Sequence, residues 1–320
     1  MQTDLEKKAY NAQCIGNVQP IEYMIPYPSM RSLIEGQTIK FSEQIVIQEA
    51  NITNEQFFSY VQQASNWLEN IGLNPKERLM LPNLGHPQTE ILLYGIWNLG
   101  SSAVLDPDGV SDKLKIKYKV RNIIDPATNL FNELNKHPKI FEPKYKPLLY
   151  DEAIISFEKQ HGIRLSHYNL LINASGLQKG IDLNSRSRFC CNIEYGTSCW
   201  VILTTVLPMY SGCIYDTIKP DLTFGYSKSD YVLRSDLRYI KSFNENEIAI
   251  CPENSAVLSI GKKPIHLTSY ETFNRFIKIK DSLPLNNNKF SLSLLTPKAM
   301  KVPPSNTNNG ENQSPVNMLH

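Results

Sequence analysis

The sequence predicts an α/β fold of mostly parallel sheets flanked by helices. Three observations predict it. The clearest helix, amphipathic and with both of its end signals, spans 53–72. A strand, an all-round apolar helix and a second apolar strand follow in 78–105, joined by short loops. Strand-helix-strand units of this kind bury both faces of a parallel sheet. Hydrophobic residues make up 41% of the 320 and charged residues 20%, enough apolar material for a substantial core.

Each element has a local reason. Thr53 caps the first helix, and Gln56 completes a T-x-x-Q capping box. Phe57, Val61, Ala64, Leu68 and Ile71 share one face at helical spacing, and Gly72 supplies the left-handed stop. Arg78–Leu81 reads as a buried strand, 82–87 as a turn, 88–99 as a helix apolar on nearly all sides, and Ala103–Leu105 as the second strand, ended by Asp106 and Pro107. In 111–121, Lys113, Lys115, Lys117 and Lys119 alternate with Leu114, Ile116, Tyr118 and Val120. Period two predicts a half-buried strand with one basic face, either a solvated edge or a surface for phosphate. Residues 122–147, rich in Lys and Pro, read as a loose connection. Ser166 caps a helix over 166–180 with Leu170, Leu171 and Ala174 inward, and 189–193 and 200–215 rebuild strand and helix core. LTFGYS, YVLRSDLRYI, EIAICPE and AVLSIG read as short strands, 269–279 as a helix, and the Asn-, Pro- and Ser-rich end as disordered.

Composition narrows the function classes. A formal charge of +2 gives no general attraction to nucleic acid or an anionic membrane. The basic stretch has one aromatic, Tyr118, so it is no base-stacking platform. The N-terminus has no apolar signal core, and the longest apolar run, 200–215, is shorter than the ~20 residues of a membrane span and holds Thr, Pro, Ser and Gly. Six cysteines (Cys14, Cys190, Cys191, Cys199, Cys213, Cys251) form no C-x-x-C pair and no zinc spacing. Free thiols in a reducing cytoplasm are expected, with no metal. No G-x-S-x-G elbow is present for a serine hydrolase.

In "ITNEQFFSYVQQASNWLENIGLNPKERLMLPNLGHPQTEILLYGIWNLGSSAVLDPD", Leu73, Arg78, Leu81, Pro82, Asn83, Gly100, Asp106 and Pro107 stand in a fixed order. That order resembles the N-terminal region of the adenylate-forming, AMP-binding superfamily: acyl-CoA synthetases, amino-acid adenylation domains and luciferases. Lys76-Glu77 departs from that family's Gly-Asp. "DEAIISF…HGIRLSHYNLLINASGL" resembles the strand before the family's phosphate loop and the G-V-x-x-[ST]-H-x-N-L segment after it, matched by Gly162, Ile163, Ser166, His167, Asn169 and Leu170. "TTVLPMYSGCIYD" resembles a later helix and strand. The resemblance covers roughly 26–110 and 148–216. It implies an extension over 1–25, an adenylate-forming-like α/β domain over 26–220, a reduced C-terminal α+β region over 221–298 and a tail over 299–320.

The resemblance also shows what is missing. The family carries T-S-G-[ST]-T-G-x-P-K-G between that strand and helix. Glycines admit the anion, consecutive N–H groups cradle it, and a lysine offsets its charge. Here only Ser156-Phe157-Glu158-Lys159-Gln160 precedes His161-Gly162, with no other glycine and with Glu158 adding negative charge. CNIEYGTS, with Glu194 and Tyr195, replaces the family's histidine-bearing segment. Ser235-Asp236-Leu237 loosely resembles the ribose-binding T-G-D motif, with Arg234 and Ser235 in place of Thr-Gly. Phe224-Gly225-Tyr226 is too little to stand for the adenine-binding Y-G-x-T-E.

Three functions remain open. The first is a protein without catalytic residues or cofactor that serves as a binding or scaffold partner of an active acyl-CoA synthetase or a carrier protein. The second is an ATP- and Mg²⁺-dependent acyl-adenylate-forming ligase with an altered phosphate site, in which Lys159, His161 and Asp236 would hold the nucleotide, with Arg164, His167 or the 113–119 lysines as further sources of charge. The third is a module that keeps an apolar pocket over 189–215 without the nucleotide.

Overall fold

The computed structural model describes residues 25–105, 112–158, 161–235, 244–251, 256–261 and 263–264. Helix α1 (Met30–Phe41) starts at Ser29, whose hydroxyl accepts from Ser32 N at 3.1 Å. Strands β1 (Ile45–Ile47) and β2 (Ile52–Thr53) pair antiparallel and lead into α2 (Asn54–Asn70). The predicted capping box is formed: Thr53 Oγ1 accepts from Gln56 N at 3.2 Å, and Gln56 Oε1 accepts from Thr53 N at 3.0 Å. Phe57, Val61, Ala64 and Leu68 are buried as the period requires. Ile71 is 41% exposed, because the helix has already ended, and Trp67 takes the inward place. Gly72 turns the chain at φ +86°.

Strand β3 (Arg78–Leu81), helix α3 (Gln88–Leu99) and strand β4 (Ser102–Leu105) form the expected βαβ unit, with Leu79 and Ala103 in parallel register. Every residue of α3 from Thr89 to Leu99 is buried. The helix lies so close to α2 that a Cβ on Gly95 would stand 2.7 Å from Ala64 Cβ.

One prediction is corrected next. The lysine alternation is not a strand but helix α4 (Asp112–Lys117), and strand β5 is confined to Val120–Ile123. Lysine is a good helix former, and a six-residue helix is too short for its period to be told from two. Strand β5 is an edge strand, and the connection after it contains α5 (Leu130–Leu134), with Leu130 and Leu134 buried. Among the described residues this sheet has five strands in the order β5-β3-β4-β6-β7, where β6 is Glu152–Glu158 and β7 is His161–Ser166. Its faces follow the period of two. Leu79, Leu81, Ala103 and Ile154 enter the main core; Met80, Val104 and Ile155 form a smaller one under Tyr118.

Helix α6 (His167–Ile181) begins in a second capping box, Ser166 with Asn169, and buries Leu170, Leu171 and Ala174 as predicted. After β8 (Arg188–Asn192) a continuous helix, α7, runs through Ser198–Trp200, Val201–Val206 and Leu207–Ser211. Strands β9 (Ile214–Tyr215), β10 (Leu222–Gly225), β11 (Tyr231–Arg234), β12 (Glu247–Cys251), β13 (Ala256–Ile260) and β14 (Lys263–Pro264) complete a sheet of nine described strands, ordered β14-β13-β12-β11-β10-β8-β9-β1-β2. The strands after residue 221 thus extend the sheet that contains β1 and β8. The predicted helix at 269–279 and the tail lie outside the described residues.

Candidate functional site

At the place of a phosphate loop the chain makes a β-hairpin. Six residue pairs register β6 against β7, from Glu152 with Ser166 to Glu158 with His161, so two residues make the connection. Lys159 belongs to that connection and lies outside the described residues; Asp236, after β11, lies outside them too. His161 is the first residue of β7, paired through its backbone with Glu158. The single matching glycine serves packing rather than an anion. Gly162 N donates to Tyr118 Oη at 3.0 Å, and a Cβ there would lie 2.7 Å from the tyrosine ring. A nest needs successive N–H groups turned to one point, whereas ladder pairing alternates them between sides. The paired residues of the hairpin, 152–158 and 161–166, therefore do not form such a nest.

The nearby charges are also occupied. Glu152 accepts from Arg78 Nε at 2.7 Å and Nη2 at 2.9 Å, from Ser102 Oγ at 2.7 Å, and from Arg164 Nε. Burial pushes the Glu152 carboxyl up, but the two guanidinium groups and the serine outweigh it and hold it below the usual carboxylate range. Arg78, Ser102 and Glu152 each open their strand, so this cluster sits at the amino edge of the sheet. His167 is buried at the start of α6 against Trp97, ring centroids 6.1 Å apart. Burial pushes its imidazole down to about 4, only partly opposed by Asp151. Arg164 is thus engaged with Glu152, and His167 is shut away from solvent.

Ligands of open α/β sheets bind beyond the carboxyl ends of the strands. At that edge Tyr195, just after β8, donates its hydroxyl to Leu81 O at the end of β3, which ties the two sheets together. Its ring meets Trp200 edge-on at 4.9 Å. Ser198 Oγ is buried without a partner. Tyr226, 44% exposed after β10, has its phenol pushed up to about 12 by burial, with Cys199 and Glu194 adding to the effect. Sequence reasoning passed over Ser198 and Trp200, since lone aromatics and hydroxyls in apolar runs carry no spacing signal, and it read Tyr118 only as one of the apolar residues between the lysines. Among the described residues no three His, Cys, Asp or Glu side chains are placed to hold a metal, and Cys190, Cys191, Cys199 and Cys213 are free. No helix among them is long and apolar enough to cross a membrane.

The fold is that of the N-terminal region of adenylate-forming enzymes. Three solved structures illustrate the likeness. The inhibitor-bound N-terminal domain of FACL13 from Mycobacterium tuberculosis matches with TM-score 0.52 and 14% identity over 59% of this chain and 56% of that one. The anthranilate CoA ligase AuaEII in complex with anthranoyl-AMP matches with TM-score 0.61 and 12% identity over 77% and 63%. NpsA-ThdA, an artificially fused adenylation-PCP di-domain from Klebsiella oxytoca, gives TM-score 0.58 and 13% identity over 73% and 55%. The chain spans about half the length of the first structures it matches, 44–56%. Neither a protein-family model nor a curated protein matches the sequence.

Proposed function

We propose that this chain keeps the adenylate-forming scaffold without its catalysis and acts as a binding or scaffold partner of an active acyl-CoA synthetase or a carrier protein. The observation that carries this is the β6–β7 hairpin. A two-residue connection stands where the triphosphate would be gripped, and the N–H of Gly162 is already given to Tyr118. Acyl adenylation needs phosphate positioning and charge stabilisation as pyrophosphate leaves. Arg164, a charge the alternative ligase would recruit, is bound to Glu152, and His167 is buried and uncharged at neutral pH. The cysteines favour a cytoplasmic setting, where they stay reduced.

Calorimetric titration with MgATP tests the proposal, with Lys159→Ala as control. No heat is expected up to millimolar nucleotide. Micromolar binding that weakens in the control would overturn the proposal and favour the ATP-dependent ligase.

A further inference from the structure

Strand β5 leaves one edge of its sheet open. Among the described residues its only neighbouring strand is β3. Ile123 stands in register with Met80, and Ile124 N donates to Met80 O at 3.3 Å, so the ladder runs through the residues on either side of Ile123. In a parallel ladder the intervening residue turns its N–H and C=O the other way. Ile123 therefore points both groups to the open edge, and it is 54% exposed.

The chain that leads into this edge carries one sign of charge. Lys113, Lys115, Lys117, Lys119 and Arg121 stand between Asp112 and Asp125 with no acidic residue among them. Lys117 Nζ lies 5.2 Å from the Tyr118 ring centroid, a contact that leaves its positive charge in place. Arg121 meets Glu77 at 3.5 Å with its side chain 69% exposed, a pair that water and salt screen. Lysines on an edge strand guard it against chance pairing. A guard has no use for exposed isoleucines, yet Ile116 on α4 is 76% exposed and Ile123 lies on the edge itself. Apolar side chains within a basic stretch on an open edge suit a strand that brings acidic and apolar side chains together.

Charge decides the occupant. A second copy of the chain would set lysine against lysine. Residues 265–320 hold six Lys or Arg against three Asp or Glu, so the chain's own C-terminal part is basic as well. We propose that the open edge of β5 docks an extended acidic segment of a partner protein. The segment adds as a further strand beside β5, bonds to the N–H and C=O of Ile123, and sets its carboxylates near Lys119 and Arg121.

The test is fluorescence anisotropy of the full chain with a short dye-labelled peptide of alternating glutamate and valine. Saturable binding is expected, weakened about tenfold or more by Ile123→Asp and by Arg121→Glu. Ile39→Asp, on the 85% exposed Ile39 of α1, should bind as the unaltered chain does. Methylating alternate peptide nitrogens on one edge of the peptide should abolish binding, and methylating those on the other edge should leave it, because only one edge meets β5. The methylated pair is read on the unaltered chain, so it decides even where a variant does not fold. The peptide carries no nucleotide, so its outcome is separate from that of the MgATP titration. Absence of saturable binding would overturn the proposal. Binding indifferent to which nitrogens are methylated would also overturn it and leave a diffuse anion patch. So would self-association of the chain that Ile123→Asp removes, which would give the edge to a second copy.

Discussion

Glu152 and His167 each contribute to the acid response of the fold, in different pH windows. For His167 the folded imidazole titrates at about 4, below its unfolded value near 6.5, so the unfolded chain takes up a proton that the native protein refuses. Stability is full above about pH 6.5 and falls as the pH drops toward 4, by on the order of 2–3 kcal/mol. His167→Phe should flatten that part of a urea-unfolding series. The depressed Glu152 carboxyl acts in a lower window: its contribution is full above the unfolded value near 4.3 and is lost as the pH falls through the folded one. At neutral pH, Glu152→Gln leaves Arg78 and Arg164 without their counter-charge. It should cost about 2–3 kcal/mol, less than for a fully buried pair because Arg164 is 27% exposed. An unchanged midpoint would show that solvent replaces the carboxylate. Gly162→Ala drives a methyl into the Tyr118 ring and should cost about 1–3 kcal/mol, and Tyr118→Leu in the same chain should recover part of it.

Between elements, the contact of α2 with α3 sets two terms against each other. Gly95→Ala gains roughly 1 kcal/mol of helix propensity. It also places a Cβ 2.7 Å from Ala64 Cβ and 3.4 Å from the α2 backbone, which no side-chain rotation relieves. Overpacking wins, and denaturant unfolding should show a net loss of about 1–2 kcal/mol. Elements such as α2 were legible because their signals are local: a capping box, one apolar face, a glycine stop. The α4 helix was not, because Lys-x-Lys-x over six residues fits a helix and an edge strand equally, and what decides between them is Tyr118 seated on the distant residues Met80, Val104 and Ile155.

At the scale of the molecule, the sheet of nine described strands joins residues 45–53 to strands that run to 264, with β8 hydrogen-bonded between β9 and β10. Phe224 of β10 packs edge-on against Phe189 of β8 at 5.6 Å. Removing the chain after residue 221 uncovers that strand and that ring, so the shortened protein should lose its cooperative thermal transition; a sharp transition near the original midpoint would show that the remainder folds alone. No local pattern announces such pairings, which is why the fold class could be read from sequence while the order of strands and the ring-to-sheet ties could not. The candidate site divides in the same way. The shortness of Ser156–Gly162 is visible in the letters, whereas the hold of Tyr118 on Gly162 and of Tyr195 on Leu81 exists only once distant segments meet.

The two-residue connection of the hairpin also has a historical side. A substitution changes a side chain but adds no length, and the pairing runs up to the connection itself, Phe157 with Gly162 and Glu158 with His161. Reaching a phosphate loop from here takes an insertion that first unzips part of the ladder and gives up the Tyr118 latch, so every early step lowers stability before any nucleotide can be held. Point mutation alone does not lengthen the two residues that separate Glu158 from His161.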